Sequence, residues 1–417
     1  MPARPQARAQ PADFSWLFGA EGPRLAPAFA PERVSSRRLS APLVSEPHAA
    51  KFVVRLAYLD GLRATAALYV VMCHAVLGCS GDNLTGAWRL LRRAFAFGHE
   101  AVAIFIVLSG YCLTLPLARR GALAVDLGTF LQRRALRILP PYFAALMLSL
   151  ALLGVPVLRT AHTGTIWDNS LPGFSFGSIL SHLLLVHNWS PLWGYQINGP
   201  LWSVASEWQI YFFFPLVLLP TWKRSGPLGM LAVAALLGFA PLWLWPGPAH
   251  VAIPWYLLLF TLGMLASALG FSDAPLAQRW RDQAPLGGIC AACWGACVAF
   301  SMGWPKVWFS SKPLTDVLVG LSSAVLLAFL TRRAGRVGRA RGVLLRVLES
   351  RLLVGVGHFS YSLYLTHLPI VALAYFALNK HLNGPALVLA LLATSLAASL
   401  AVAYAFFVVV ERRFIRR

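Results

Sequence analysis

The sequence predicts an all-α integral membrane protein in which about ten transmembrane helices enclose a polar tunnel, and three observations carry that prediction. Of the 417 residues, 58% are apolar and only 12% charged, with a mean hydropathy of +0.64. That balance supplies too little polar surface for a water-soluble chain of this length. Apolar runs of about 20 residues, the length that crosses a bilayer as a helix, recur along the chain. Basic residues concentrate between alternate runs, as the positive-inside rule requires of a multi-pass protein.

The runs fall at about 60–79, 97–116, 139–158, 199–220, 228–245, 251–270, 286–304, 314–331, 354–378 and 385–409. A further stretch, 179–196, holds His182, His187 and Pro191 and reads as a re-entrant or interfacial segment. Counting it as a crossing would move "RRAGRVGRARGVLLR" and "RRFIRR" to the outer side, against the charge rule. Ten crossings put both termini in the cytoplasm, with the protein integral to an inner or plasma membrane. The net charge of +21 then reflects topology and contact with anionic membrane lipids, and calls for no nucleic acid.

Residues 1–55, rich in Pro, Ala and Arg, show no strong amphipathic period and no signal-peptide pattern. They are expected to form a disordered cytoplasmic tail ahead of a membrane domain at 56–417. Cys290, Cys293 and Cys297 share part of a helical face, but they lie in an apolar run without a nearby carboxylate or histidine. Packing, with no metal, is the expectation for them and for Cys73, Cys79 and Cys112.

The polar groups inside the runs say most about function. Among 15 acidic residues, Glu207 alone lies well inside a predicted crossing, while Asp60, Glu100 and Glu411 hug the ends. Ionisable groups at such depth need a partner or a water-filled cavity and mark functional sites by default. In the first run, "LDGLRATAALYVVMCHA", Arg63 and His74 stand eleven residues apart, about 16 Å along a helix. Arg63 falls near the cytoplasmic edge, whereas His74 and Glu207 fall in the outer half. A cationic anchor below an acid/base pair suits a long substrate with an anionic head, such as an acyl-CoA thioester entering from the cytoplasm.

At these residues the chain resembles the membrane-bound acyltransferase 3 family, whose hallmark is an arginine, ten residues, then a histidine. Four further motifs agree in order: "IFIVLSGYCL", "RRALRILPPY", "GPLWSVASEWQIYFFFP" and "GHFSYSLYLTHLPI". The resemblance covers about 57–415. It implies transfer of an acyl group, often acetyl, to a polysaccharide, a lipid-linked sugar or a secondary metabolite. The implied partners are acyl-CoA as donor, a carbohydrate or small-molecule acceptor and membrane lipids, with no permanently bound cofactor.

On this reading His74 is the general base that deprotonates the acceptor hydroxyl for direct attack. Glu207 holds the imidazole, as an acid does in a triad, and Ser109 orients the thioester, an acyl-serine being the alternative. Arg63, Arg133, Arg134 and Arg137 meet the donor's phosphates or pantetheine arm. Tyr211, Trp202, Tyr361, Tyr364 and His367 contact the acceptor or support the residues that do. Trp189, Trp193 and Trp202 also fit an interfacial aromatic belt, and His182 and His187 are expected at the outer surface. Two other classes share the composition. A proton-coupled transporter or flippase would also bury Arg, His and Glu. A glycosyltransferase using a lipid-phosphate donor would want metal-binding acids in its loops.

Overall fold

The computed structural model describes residues 56–79, 86–120, 126–152, 154, 165–170, 175–272, 274–301, 312–336 and 341–415. The expected N-terminal tail lies outside the described residues. Every regular element among them is helical. The long ones are α1 (Ala57–Leu77), α2 (Gly98–Arg120), α3 (Leu127–Leu152), α4 (Leu201–Phe213), α5 (Leu219–Leu244), α6 (Tyr256–Phe271), α7 (Leu286–Ser301), α8 (Lys312–Ala334), α9 (Ser360–Leu378) and α10 (Gly384–Phe406).

Eight helical runs among the described residues are long and apolar enough to cross a membrane. A ninth forms if Pro275–Gln283 and Leu286–Phe300, bent by 76°, count as one. The longest run, Leu201–Leu244, has 44 residues and would extend about 66 Å, twice the hydrocarbon thickness. It breaks at Gly226, whose φ of 68° and ψ of −172° leave the helix. With that pair counted as one span and the two limbs counted separately, the described runs reach the expected ten.

Local chemistry explains the irregularities. Asp126 starts α3 by accepting the Thr129 N–H at 3.0 Å and its hydroxyl at 2.8 Å, a side-chain cap. Those bonds hold the Asp126 carboxyl below the usual range. Between α4 and α5 the chain passes through a π-helical turn, Phe214–Leu218. Pro215 has no N–H to donate and its ring crowds the preceding turn, so the α ladder loosens there. A second π turn, Phe407–Glu411, follows α10 and delivers Glu411 into the interior.

Without water to expel, membrane helices gain by close backbone approach through small residues. The contact between α2 and α6 is reciprocal in this sense. A Cβ at Gly110 would run into the Phe260 carbonyl, and one at Gly263 into the Val107 carbonyl. Either Gly→Val change is expected to push the pair apart at a cost of about 1–3 kcal/mol, read as a lowered Tm in detergent; an unchanged Tm would show that the contact carries no stability. At the start of α1, Gly61 abuts the Leu348 carbonyl and Gly357 the Asp60 carbonyl, which fixes the helix two residues before Arg63.

The ambiguous stretch does not cross. It forms a short helix, Phe176–Leu183, a 3-10 turn, His187–Trp189, and a series of turns to Pro200. The surface expectation for its histidines is corrected: His182 and His187 are fully buried, their rings stacked 3.8 Å apart. His182 faces the carbonyls of Ser178 at 2.8 Å and Gln196 at 3.1 Å, while Tyr142 donates to the His182 carbonyl at 2.8 Å. A loop folded back into the bundle must pair its backbone internally, and these side chains do that. Glu411 is likewise deeper than its position near a span end implied. It is 1% exposed and accepts the Ser362 N–H at 3.1 Å and the Ser362 hydroxyl, anchoring the first turn of α9. In the cysteine-rich helix, Cys297 Sγ meets Ser322 Oγ at 3.3 Å, a contact between α7 and α8.

Candidate active site

A cavity of about 310 Å³ lies between α1, α2, α3, α4 and α9. Its basic end carries Arg63, Arg134 and Arg137. Arg63 stands one turn after Asp60, with a guanidinium nitrogen 3.4 Å from the carboxylate and another 3.2 Å from Cys112 Sγ. Arg134 and Arg137 are three residues apart and share a face of α3. Arg134 is packed over the Phe130 ring at 5.9 Å. Arg133, rotated about 100° from its neighbour, is exposed and outside the cavity wall.

Beyond the arginines the wall is polar in an ordered way. On α4, Ser203, Glu207 and Tyr211 recur every four residues and form one stripe facing the cavity. The Tyr211 hydroxyl donates to Glu207 Oε1 at 2.6 Å and lies 3.0 Å from Ser109 Oγ. A phenol has one proton, so Ser109 must donate to the Tyr211 oxygen. The result is a chain running one way, from Ser109 through Tyr211 to Glu207. From α9, Tyr361 donates to the Ile138 carbonyl at 3.2 Å, and the Tyr364 hydroxyl meets Ser203 Oγ at 2.7 Å.

His74 is half-buried and stands outside the cavity wall. Its Nδ1 is 3.0 Å from the Val70 carbonyl and 3.0 Å from Nε2 of the fully buried His367. Nδ1 of His367 is 2.8 Å from the Tyr364 carbonyl. Carbonyls only accept, so this network assigns the proton of each neutral ring to Nδ1. The His74 N–H is then shared between Val70 and His367, and Nε2 of His74 is left a free lone pair with no hydrogen-bond partner among the described residues.

The expected contact between His74 and Glu207 does not form. Similar depth was its only basis: His367 of α9 meets His74, while Tyr211, one turn along α4, meets Glu207. Tyr364 links the two groups, lining the cavity with its ring 5.9 Å from that of His367. Trp202 is only 6% exposed and is packed against His99 and Tyr256, with no membrane-belt role. Cys112, expected from the sequence only to pack, and Ser203, given no site role there, both line the cavity. Cys112 stands three residues after Ser109 and Ser203 four before Glu207, and those helical spacings were the available signal.

The comparisons with known proteins agree on one family. The profile of an acyltransferase domain matches residues 56–404. An acyltransferase of Streptomyces mycarofaciens, MdmB, is 31% identical over 169 residues, which cover 39% of this chain and 39% of that protein. A protein of Staphylococcus aureus (strain COL) with the provisional name O-acetyltransferase SACOL0978 is 28% identical over 191 residues, 42% of this chain and 27% of the relative. The alignments thus span well under half of these curated relatives. No solved structure matches the chain. With the profile covering nearly all the described helices, the chain belongs to the acyltransferase-domain family.

Proposed function

We propose that the protein is a membrane O-acyltransferase that moves an acyl group, acetyl by preference, from acyl-CoA to a hydroxyl of a carbohydrate, glycolipid or secondary metabolite. The observation that carries this reading is one cavity holding three guanidinium groups at one end and the Ser109–Tyr211–Glu207 chain farther in. Guanidinium forks suit phosphate oxygens. At about 310 Å³ the cavity lies near the lower limit of small-molecule sites, so it accepts the thioester end of the donor and leaves the nucleotide at the basic rim. That rim faces the cytoplasm, in keeping with the distribution of Lys and Arg.

In the proposed reaction the thioester carbon sits at the Tyr364 side of the cavity, next to the His367–His74 pair, and Nε2 of His74 takes the hydroxyl proton as the acceptor oxygen bonds to that carbon. The carbon–sulfur bond then breaks, and the departing thiolate recovers the proton from the imidazolium. His367 holds the His74 ring through Nδ1. Glu207, through Tyr211, keeps the Ser109 hydroxyl aligned beside the thioester. The decisive experiment supplies radiolabelled acetyl-CoA to the purified full chain in nanodiscs and follows free thiol and label together. Thiol release with label in an ester product supports the reading. Passage of an intact polar solute across sealed vesicles, without thioester cleavage, would instead establish a carrier.

A further inference from the structure

At the end of the bundle away from the cavity arginines, the starts of α2, α4, α6 and α8 converge around an imidazole–carboxylate pair. His99 Nε2 lies 2.8 Å from Asp316 Oδ2, and the same oxygen accepts Trp255 Nε1–H at 2.8 Å. Asp316 is fully buried, and its Oδ1 has no partner among the described residues. Trp202 stacks on the His99 ring, with centroids 5.6 Å apart and planes 17° apart, and Tyr256 packs on it at 5.9 Å. Because the carboxylate accepts from Nε2–H, the neutral ring carries its lone pair on Nδ1. That atom has no hydrogen-bond partner among the described residues, and the side chain is 23% exposed.

Position connects this pair to the cavity. On α2, His99 precedes Val102, Ile106, Ser109 and Leu113 at spacings of three and four, and those four residues line the cavity. His99 therefore continues the lining stripe by one turn, about 5 Å beyond Val102. On α4, Trp202 immediately precedes the cavity residues Ser203 and Val204. Neither the donor's phosphates nor the proton transfer at His74 uses the pair, and an intramembrane carboxylate is costly to keep without a role.

We propose that His99 is an acceptor-binding residue, whose Nδ1 accepts a hydrogen bond from a hydroxyl of a neutral polyol or sugar-like acceptor entering at this end. Asp316 is the positioning residue that fixes the ring. Trp202 stacks on one face of the ring, and Tyr256, tilted by 39°, packs beside it. The proposal rests on the acyltransferase reading, and its test separates the two. The full chain in nanodiscs is given labelled acetyl-CoA with excess glycerol as a hydroxylated probe, and label is divided between acetylglycerol and acetate.

The wild type is expected to form both products. His99→Gln keeps an N–H toward Asp316 but has no acceptor at the place of Nδ1, its one acceptor being the amide oxygen at the end of the side chain. It is expected to shift the division about tenfold toward acetate, the worth of one hydrogen bond. Asp316→Ala, which removes the acceptor for Nε2–H, is expected to shift it the same way by freeing the ring. An unaltered division in the folded His99→Gln protein would reduce the pair to a helix fastening and overturn the proposal. CoA release with no acetylglycerol in the wild type would also overturn it, leaving the donor chemistry standing. Absence of CoA release would reject the parent reading itself.

Discussion

His74→Ala is expected to lower kcat for acyl transfer by about 10²–10⁴-fold, the usual worth of a general base, with little change in the KM for acyl-CoA. The asymmetry follows from the site. His74 stands outside the wall of the cavity that carries the arginines, so truncating it leaves donor contacts intact. Its Nδ1 is engaged by Val70 and His367, and its Nε2 is open. Steady-state kinetics with acetyl-CoA varied at fixed acceptor read kcat and KM apart. Glu207→Gln makes the sharper comparison, since the amide oxygen can still accept the Tyr211 hydroxyl while the charge is gone. If His74→Ala kept full activity and Glu207→Gln abolished it, the base would be the carboxylate, which lies inside the cavity.

The second large effect concerns the donor. Arg63→Ala is expected to weaken CoA binding by about 10–100-fold, because hydrogen bonds to charged groups contribute about 1.5–3 kcal/mol. Arg134→Ala and Arg137→Ala should act in the same direction. Arg133→Ala is the internal control: its side chain is exposed and outside the wall, so binding should stay near wild type. Lysine at position 63 keeps the charge but not the fork and should restore only part of the affinity. Calorimetric titration of CoA into the protein in nanodiscs, at low and high salt, checks all five variants. Equal losses for Arg133 and Arg63 would mean a diffuse surface field in place of a site.

Much of the fold could be read from composition and period because the bilayer leaves a chain so few choices. Nearly every apolar run became a helix at its expected place, and the fold-back at 179–196 was marked by its histidines and Pro191. The membrane also made Arg63, Ser109, Glu207 and Tyr211 conspicuous as polar residues where none is cheap, and the cavity brings them together. What the sequence could not supply was rotation and pairing. Depth along an axis put His74 beside Glu207, but contact depends on which helix lies between them, and α9 supplies His367 and Tyr364 there. Arg133 looked equivalent to its neighbours until the phase of α3 placed it outside. His99 and Asp316 are 217 residues apart in sequence, and nothing along the chain links them. Only the convergence of four helix starts makes them a pair.

The π turn at Phe214–Leu218 begins three residues after Tyr211. Each residue added to or removed from a helix turns everything beyond it by about 100°. A single deletion there would leave the chemical groups of α4 untouched yet swing the whole of α5 to a new bearing against its neighbours. Inheritance should therefore conserve the length of this stretch more strictly than its letters, as a spacer whose count is its content.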